Sequence, residues 1–463
     1  MKSSYTRLSL SIALAALMSG CASQGTDVIS LNDLPHSYKA SVNGESRSET
    51  HKNQWWEALN DRELDELVSK AHTFNSDVRI ASTQILAAQA KLRGSEASFF
   101  PVLDLALSGS KGRMANAQAQ SKMPVMQSVT GQMQLSYELD IFGKLSDARN
   151  SSFKALQATQ YDKQAIELAV KTSVIEGYLK IREYDQLIDQ YQELYANAKE
   201  NEEIVSLSVT NGLATGMDLK DAQILTRTQM SMLEQHKADR KLAENALALL
   251  VGDQSLTIKA DQRRYENVLP TVNPGVPSSL LENRPDVQKA LATLESANAN
   301  VLVAKKAFFP QISLTGSSGQ QSSALSSLIG GNNVWSIGYG LDLPLFDGGL
   351  RMSNLWQSKA EREQAVEMYK STVQTAFKEV NDAIVSLNAQ SAIFEQAKLA
   401  NGESVERLSM HDSEFKSGLI SYKRLLDAKN THIENNIKLV EDHYAYLNQW
   451  VVFNKSLGIG NKT

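Results

Sequence analysis

The residues of this chain that could take part in covalent or metal chemistry are a single cysteine, Cys21, and seven histidines. The histidines show no metal-ligand spacing, and no HExxH, GxSxG or phosphate-binding loop motif occurs. The sequence therefore predicts a protein that is not an enzyme, with no catalytic residue, no cofactor and no metal site. His432 and His443 fall on a predicted polar helix and are expected to be solvated.

Cys21 follows a segment with the layout of an export signal. Its apolar core, residues 8–18, follows a positively charged start and is too short to span a membrane. With one cysteine, the exported chain cannot form an internal disulfide. Met18-Ser19-Gly20-Cys21 resembles a bacterial lipobox, with Met where Leu is usual, which implies acylation of Cys21, as in palmitate-bearing lipoproteins, and removal of residues 1–20. No Asp follows Cys21, which favours the outer membrane. The alternative is a free thiol after an ordinary cleavage site.

The composition excludes other partners and classes. A net charge of −5 with 21% charged residues is typical of neither a disordered nor a strongly basic chain, so no nucleic-acid partner is expected. No apolar run of about 20 residues follows the signal segment, so no transmembrane helix is predicted.

One architectural unit is used twice. Residues 78–101 follow an Asp and end in Phe-Phe-Pro, residues 287–310 do the same, and both ends are offset by 209 positions (287 − 78 and 310 − 101). Self-similarity at a fixed spacing indicates a repeated structural unit.

Long helices are predicted in two proline-free stretches, 125–269 and 345–463, which are rich in helix-forming residues. Apolar residues recur every seven positions in both, which indicates helices packed side by side at shallow angles. The uninterrupted run 146–211 would form a helix of about 100 Å at 1.5 Å per residue. A dimeric coiled coil is the alternative.

Strands are predicted where the apolar period changes to two, at about 102–110, 130–142, 311–319 and 334–343. Strands near ten residues, apolar on one face, suit a membrane β-barrel, although a half-buried soluble hairpin would alternate in the same way. Four strands cannot close a barrel, and an open sheet edge is not tolerated in lipid. Several chains must therefore share one barrel: two would give eight strands and a filled interior, and three would give twelve and a possible pore.

From Gln54 onward the chain resembles outer-membrane efflux proteins of the TolC type, in the lipoprotein (NodT-type) branch paired with resistance–nodulation–division pumps. The residues that carry the resemblance stand in order along the chain: Trp55-Trp56 with Leu64 and Leu67, Leu139-Asp140-Ile141-Phe142-Gly143-Lys144, Leu281-Glu282-Asn283-Arg284-Pro285-Asp286-Val287, Ala307-Phe308-Phe309-Pro310 and Pro344-Leu345-Phe346-Asp347-Gly348-Gly349.

The resemblance implies an α+β membrane protein, with a trimeric 12-stranded outer-membrane β-barrel continued by a long periplasmic α-helical barrel and built from two internal repeats. It divides the chain into a signal peptide (1–20), an N-terminal equatorial segment (22–60), a first repeat (61–251), an equatorial linker (252–285) and a second repeat (286–457). The protein would sit in the outer membrane, lipid-anchored and barrel-spanning. Its implied partners are two further copies of itself, a periplasmic adaptor (membrane fusion) protein, an inner-membrane efflux pump and outer-membrane lipid.

The implied site lies where the long helices turn back. Gly212-Leu213 and Gly418-Leu419 resemble the family's adaptor-contact tips. The residues expected to form the periplasmic gate are Asp218, Asp221, Arg424 and Asp427. Arg424 stands where some members carry a second aspartate, which puts a double acidic ring in doubt. The plain alternative for Asp218 and Asp221 is a first-turn helix residue that the helix dipole favours.

The resemblance thus implies the passive exit duct of a tripartite efflux system for drugs or other small toxic compounds, with a role in antibiotic resistance. The same duct could serve type I protein secretion or metal-ion export. A structural coiled-coil lipoprotein of the outer membrane is the alternative from a different class.

Overall fold

The computed structural model describes residues 54–113, 125–261 and 283–459. The expected signal peptide with Cys21, most of the 22–60 segment and most of the 252–285 linker lie outside these residues.

Helices and strands follow the same order in both halves of the chain. After a 3-10 turn at Trp55–Leu59, the first half contains α1 (Arg62–Phe74), α2 (Ser76–Ala97), β1 (Val102–Gly112), β2 (Met126–Leu139), α3 (Lys144–Thr210) and α4 (Gly216–Val251). The second half contains α5 (Pro285–Lys306), β3 (Gln311–Ser322), a 3-10 turn at Leu325–Ser327, β4 (Asn332–Asp342), α6 (Leu350–Lys416) and α7 (Tyr422–Ser456).

The four strands form one antiparallel sheet in the order β1-β2-β3-β4. Leu105 pairs with Met133, which pairs with Ser318, which pairs with Trp335, so these four side chains share one face. The next row along, headed by Asp104, places polar side chains on the other face. The α+β fold with four strands per chain in two repeats is therefore confirmed.

The second strand begins and ends earlier than the periodicity predicts, at Met126–Leu139 rather than at 130–142. It begins earlier because its pairing with β1 continues to the Gly112–Met126 pair. It ends at Leu139 because the carboxylate of Asp140 accepts hydrogen bonds from the backbone N–H groups of Leu145 and Ser146, both at 2.8 Å. These bonds satisfy free donors in the first turn of α3, so Asp140 ends the strand in order to cap the helix.

The helices pack side by side in a layer in which α3 is central. The first half of α3 packs between α2 and α5, with Ser151 Oγ 3.0 Å from Ser296 Oγ. The second half of α3 packs between α4 and α7. Helix α6 packs against α5 and then α7, so in the described part of the chain α6 and the pair α2 and α4 form the two edges of the layer.

The main core lies where α1, α3, α4, α6 and α7 meet, and it contains fully buried Tyr178, Leu179, Tyr444 and Leu447. A buried ion network lies beside it. Arg182 Nη1 donates to Asp185 at 3.1 Å and to the Lys259 carbonyl at 2.7 Å, while Arg240 Nε donates to Asp185 at 2.6 Å. The network fastens the chain that follows α4 to the side of α3.

Within residues 54–113, 125–261 and 283–459, no helix combines the length and the apolar character that a membrane span requires. The same residues hold no group of three His, Cys, Asp or Glu side chains arranged to bind a metal ion.

Candidate functional site at the helical tips

Both long hairpins turn through the same backbone motif. At the end of α3, Gly212 N donates to the Val209 carbonyl at 3.0 Å and Leu213 N donates to the Ser208 carbonyl at 2.8 Å. At the end of α6, Gly418 N donates to Phe415 and Leu419 N donates to Glu414, both at 2.9 Å. These are Schellman motifs, and the φ angles of +71° and +73° at the two glycines are the left-handed values that the motif requires.

The leucines that follow these glycines project into solvent. In a Schellman motif the residue after the glycine usually packs back on the last helical turn. Leu213 and Leu419 instead remain 82% and 76% exposed. Two large apolar side chains thus lie at equivalent positions on the tips, available to another molecule.

Asp218 forms part of a capping box at the start of α4. Its carboxylate accepts from Thr215 N and Thr215 Oγ1, both at 2.7 Å, while Asp218 N donates to Thr215 Oγ1 at 3.3 Å. The hydrogen bonds from Thr215, and the positive charge of Lys423 on the other hairpin, hold the pKa of Asp218 below its ordinary value. The tips of the two repeats therefore come within electrostatic reach of each other at Asp218 and Lys423.

Arg424 occupies the equivalent position in the second repeat, because the two tips are offset by 206 residues (418 − 212 and 424 − 218). Ser421 Oγ accepts from Arg424 N at 3.3 Å, which reproduces half of the capping box. An arginine has no acceptor with which to complete it. The exchange of Asp218 for Arg424 thus reverses the charge at this turn and weakens the cap of α7.

Arg424 and Asp427 both project from the exposed face of α7, whereas Leu425, Leu426 and Ala428 are buried on the opposite face. In the described protomer, neither Arg424 nor Asp427 forms an ion pair. Asp221 is likewise exposed, on the second turn of α4. The structure thus presents the four expected gate residues on the hairpin ends, as solvent-facing charges of both signs.

A contact between the repeats that the sequence does not reveal lies just above the tips. Tyr422, the first residue of α7, donates from its hydroxyl to Glu200 Oε1 on α3 at 2.6 Å. The ring of Phe415 meets the Tyr422 ring edge-on at 5.4 Å between centroids. The hydrogen bond to Glu200 raises the pKa of Tyr422 above its ordinary value.

Further polar pairs join α3 to α7 along their whole contact. Moving away from the tips, Asn197 pairs with Asn430 at 2.8 Å, Gln190 with Asn436 at 2.9 Å and Gln186 with Tyr444 at 2.9 Å. These three pairs join uncharged groups. Glu200–Tyr422, at the tip end, is the one pair of the four whose acceptor is a carboxylate. The sequence signal for this interface would be amide side chains on one helix matched by amide or tyrosine side chains on the other. The paired residues, however, lie 222 to 258 positions apart in the sequence.

Two motifs that carry the family resemblance, at Arg284 and at Trp55, form structural contacts far from the tips. Arg284, buried before α5, donates to Asp286 at 2.7 Å, to Glu379 on α6 at 2.6 Å and to the Ser456 carbonyl at 2.8 Å. Trp55 Nε1 donates to the Ile459 carbonyl at 3.2 Å. These residues hold the 3-10 turn at Trp55–Leu59 and the start of the second repeat against the end of α7.

The prediction that His432 and His443 are solvated is wrong for His443 and only partly right for His432. His443 is buried, and its ring stacks on Phe394 at 4.8 Å between centroids, because this face of α7 packs on α6. His432 is partly buried and its Nδ1 lies 2.8 Å from Ser404 Oγ. Period alone gave a polar helix, but α7 is covered on two sides, by α3 and α6.

The chain is similar to known outer-membrane proteins over most of its length. The family model described as "Outer membrane efflux protein" matches residues 67–253 and 276–459. The outer membrane protein OprJ of Pseudomonas aeruginosa is 30% identical over 392 residues, which are 84% of this chain and 82% of OprJ. The cation efflux system protein CusC of Escherichia coli is 27% identical over 452 residues, 94% of this chain and 95% of CusC. The crystal structure of the Campylobacter jejuni CmeC outer membrane channel superposes with a TM-score of 0.81 at 24% identity, covering 91% of each chain.

Proposed function

The chain belongs to the outer membrane efflux protein family, and we propose that three copies of it form one continuous duct from the periplasm to the exterior. It is an outer-membrane efflux channel. We propose that a periplasmic adaptor protein contacts its helical tips, that an inner-membrane pump supplies the transported compound and the energy, and that charged residues near the tips control opening.

The main support for assembly into a trimer is that the sheet and the helical layer both have unpaired edges on the same two sides of the protomer. In the sheet, β1 and β4 are the edges, and each leaves backbone donors and acceptors unpaired in the described protomer. Both present rows of exposed apolar residues on one face: Leu103, Leu105 and Leu107 on β1, and Trp335, Ile337 and Tyr339 on β4. Since lipid does not tolerate open edges, β4 of one copy must pair with β1 of the next.

The helical layer has open edges on the same two sides. On α4, the exposed residues Ile224, Leu242 and Leu249 are separated by 18 and 7 residues, which is about five turns and two turns, so they share one face. On α6, Met368, Leu399 and Met410 are exposed on a helix with neighbours on one side in the described chain. Contact between α6 of one copy and α4 of the next would cover both sets.

Three copies are favoured over two because a channel needs an open interior. Eight strands enclose a space that side chains fill, whereas a larger barrel leaves room for a pore. The polar face of the sheet, with Asp104, Gln134, Ser317 and Ser336 in one row, would then line the pore.

The tips support contact with an adaptor through Leu213 and Leu419. Each side chain follows its glycine at the extreme end of a hairpin and remains exposed. Six such leucines in a trimer would form a ring that fits the apolar grooves of a partner's helices. Gly212 and Gly418 are needed because only glycine readily adopts the left-handed turn that places each leucine there.

The charges on the first turns of α7 support a gate. Asp427 and Arg424 project from the end of the second hairpin, and Asp218 and Asp221 project from the end of the first hairpin of the same protomer. Three-fold symmetry would arrange each of them as a ring. A narrow opening lined by charge focuses the local potential and resists the passage of solutes until the helices move apart. We assign Asp427 the principal role in this ring, with Arg424 as its counter-charge.

We also propose that Cys21 carries lipid, which would anchor the start of the chain in the outer membrane. Intact-mass measurement of the purified wild-type protein and of Cys21→Ser tests this directly, and a wild-type mass without acyl chains would exclude the anchor. The transported compounds are proposed to be drugs or other small toxic compounds. CusC bears the name of a cation efflux protein, so susceptibility profiling of a deletion strain must include metal cations beside antibiotics.

The decisive experiment combines mass and conductance. We expect purified full-length protein in detergent to have three times the mass of the chain, and to produce discrete conductance steps in a planar bilayer. A matched variant, Trp335→Asp, places a charge on the edge strand and should lose both properties while the helices remain folded by circular dichroism. A monomeric wild-type protein, or a trimer without conductance, would overturn the proposal.

A further inference from the structure

The loop between β3 and β4 folds back over the apolar face of the sheet. At its centre, Leu328 lies over Gly131 on β2: a Cβ atom at Gly131 would be 3.1 Å from Leu328 Cδ2 and 3.6 Å from Leu107 Cδ1. Gly131 pairs with Leu107, so both point to the face that carries Leu103 and Leu105. The loop of the second repeat therefore rests on the hairpin of the first, on the apolar side of the sheet.

Hydrogen bonds fix the loop in this position. Gly330 N donates to Gln320 Oε1 at 3.2 Å, and Gln320 belongs to the same row as Gly131 and Leu107. Ser322 Oγ lies 2.6 Å from Ser327 Oγ. Val129, also on this face, is buried although it lies near the end of the sheet. The absence of a side chain at Gly131 is what makes room for Leu328.

The rest of the loop presents apolar side chains outward. Leu325 is 63% exposed and Ile329 is 97% exposed. Residues 311–341, which include β3, the loop and most of β4, contain no charged side chain. This uncharged segment covers part of the apolar face and exposes two large aliphatic side chains of its own. The outer surface on this side of the sheet therefore stays apolar where the loop covers it.

We propose that this loop dips into the outer leaflet of the outer membrane, with Leu325 and Ile329 in contact with lipid acyl chains. The inference rests on the proposed membrane position of the sheet, whose apolar face meets hydrocarbon. The helices join the strands at the end away from this loop, so the loop lies at the exterior end. The exposed side chains of the loop contact lipid and not a neighbouring copy, because the loop docks where Leu328 meets Gly131, over the interior of the protomer's own sheet and away from the β4 edge.

The test uses nitroxide spin labels on full-length protein in lipid vesicles. A Cys21→Ser background leaves one label site at a time: Ile329→Cys in the loop, Ile337→Cys on the apolar face of β4 and Ser336→Cys on its polar face. Collision with oxygen, which concentrates in hydrocarbon, is compared with collision with a water-soluble nickel complex. We expect the oxygen-to-nickel ratio at positions 329 and 337 to exceed that at 336 several-fold.

Two glycine variants test whether docking on the sheet positions the loop. Gly131→Val places a side chain where Leu328 rests, and it should lower the ratio at position 329 to that at 336. Gly109→Val is the matched control, because a Cβ atom there lies 3.8 Å from Val129 Cγ2, an ordinary contact. It should leave the ratio at 329 unchanged.

The outcomes separate this inference from the proposed function. A water-like ratio at 329 with a lipid-like ratio at 337 overturns the loop assignment alone. A water-like ratio at both positions overturns the membrane position of the sheet as well. Low access to both reagents at 329 would place Ile329 against a neighbouring copy and also overturn the lipid assignment.

Discussion

The hydrogen bond between Tyr422 and Glu200 is predicted to hold the periplasmic end closed. Tyr422→Phe removes the hydroxyl and keeps the ring, so the edge-on contact with Phe415 at 5.4 Å is preserved. The lost interaction is the 2.6 Å bond from Tyr422 to the carboxylate of Glu200, which joins the start of α7 to α3. Opening by separation of these two helices would have to break this bond, so the substitution should favour the open channel.

The size of the effect follows from the exposure of the pair and the three-fold symmetry. A hydrogen bond to a charged group contributes about 1.5–3 kcal/mol, and solvent exposure of Glu200 reduces this to about 1 kcal/mol. Three protomers that open together would lose about 3 kcal/mol, which lowers the ratio of closed to open channels roughly 100-fold. Because the bond raises the pKa of Tyr422 above 10.0, the link is intact at neutral pH and is lost as pH rises through that raised pKa.

The assay is the closed-to-open ratio of single trimers in planar bilayers, supported by uptake of a large antibiotic in cells. A double-mutant cycle with Glu200→Ala isolates the bond, because Tyr422→Phe should add little once Glu200 is absent. Tyr195→Phe, elsewhere on α3, is the matched control and should behave as the wild type. An unchanged ratio in Tyr422→Phe, or an equal fall in the presence and absence of Glu200, would refute the assigned restraint.

Three further predictions concern the tips. Asp427→Ala should increase conductance or antibiotic leakage, whereas Asp221→Ala, at the equivalent position of the first repeat (427 − 221 = 206), should change it less. Equal conductance in Asp427→Ala and wild type would remove the assigned gate role. Thr215→Ala should destabilise the first turn of α4 by about 1 kcal/mol, which faster amide hydrogen exchange in that turn would show. The folded-state pKa of Asp218 is depressed, so its contribution to the cap is fully present above the ordinary value of 3.8 and is lost as pH falls through the depressed pKa. Amide exchange of the wild type in this turn should therefore quicken only in strong acid. Replacement of Leu213 and Leu419 by Asp should abolish adaptor binding in pull-down assays while trimer mass and conductance stay as in the wild type; retained binding would exclude the leucines as contacts.

Local sequence signals predicted the elements well because each depends on nearby residues. The change from period two to period seven marks where strands give way to helices, and Asp140 shows why a boundary moved by three residues: its carboxylate was needed for the helix cap. The Thr-x-x-Asp spacing at Thr215 and Asp218 could have been read as a capping box from the sequence alone. The carboxylate of Asp218 lies in the first turn of α4, as the plain alternative to a gate role expects.

The contacts between the repeats could not be predicted in this way. Tyr422 and Glu200 are 222 residues apart, and their meeting depends on the register in which α3 packs against α7. That register is set by the buried side chains of a layer in which α3 packs against five other helices, α1, α2, α4, α5 and α7. The same packing buries His443, which the helix period alone had left in solvent.

By itself, the sequence determined that one unit is used twice, that each unit gives two strands and a long helical hairpin, and that the tips turn at glycines, because period, spacing and left-handed turns are local properties. Tertiary structure alone decided which charges remain free at the tips, which polar groups join α3 to α7, and that the β3–β4 loop lies on the apolar face of the sheet. These depend on side chains brought together across hundreds of residues, where burial and pairing are set by the whole layer and not by neighbours in the chain.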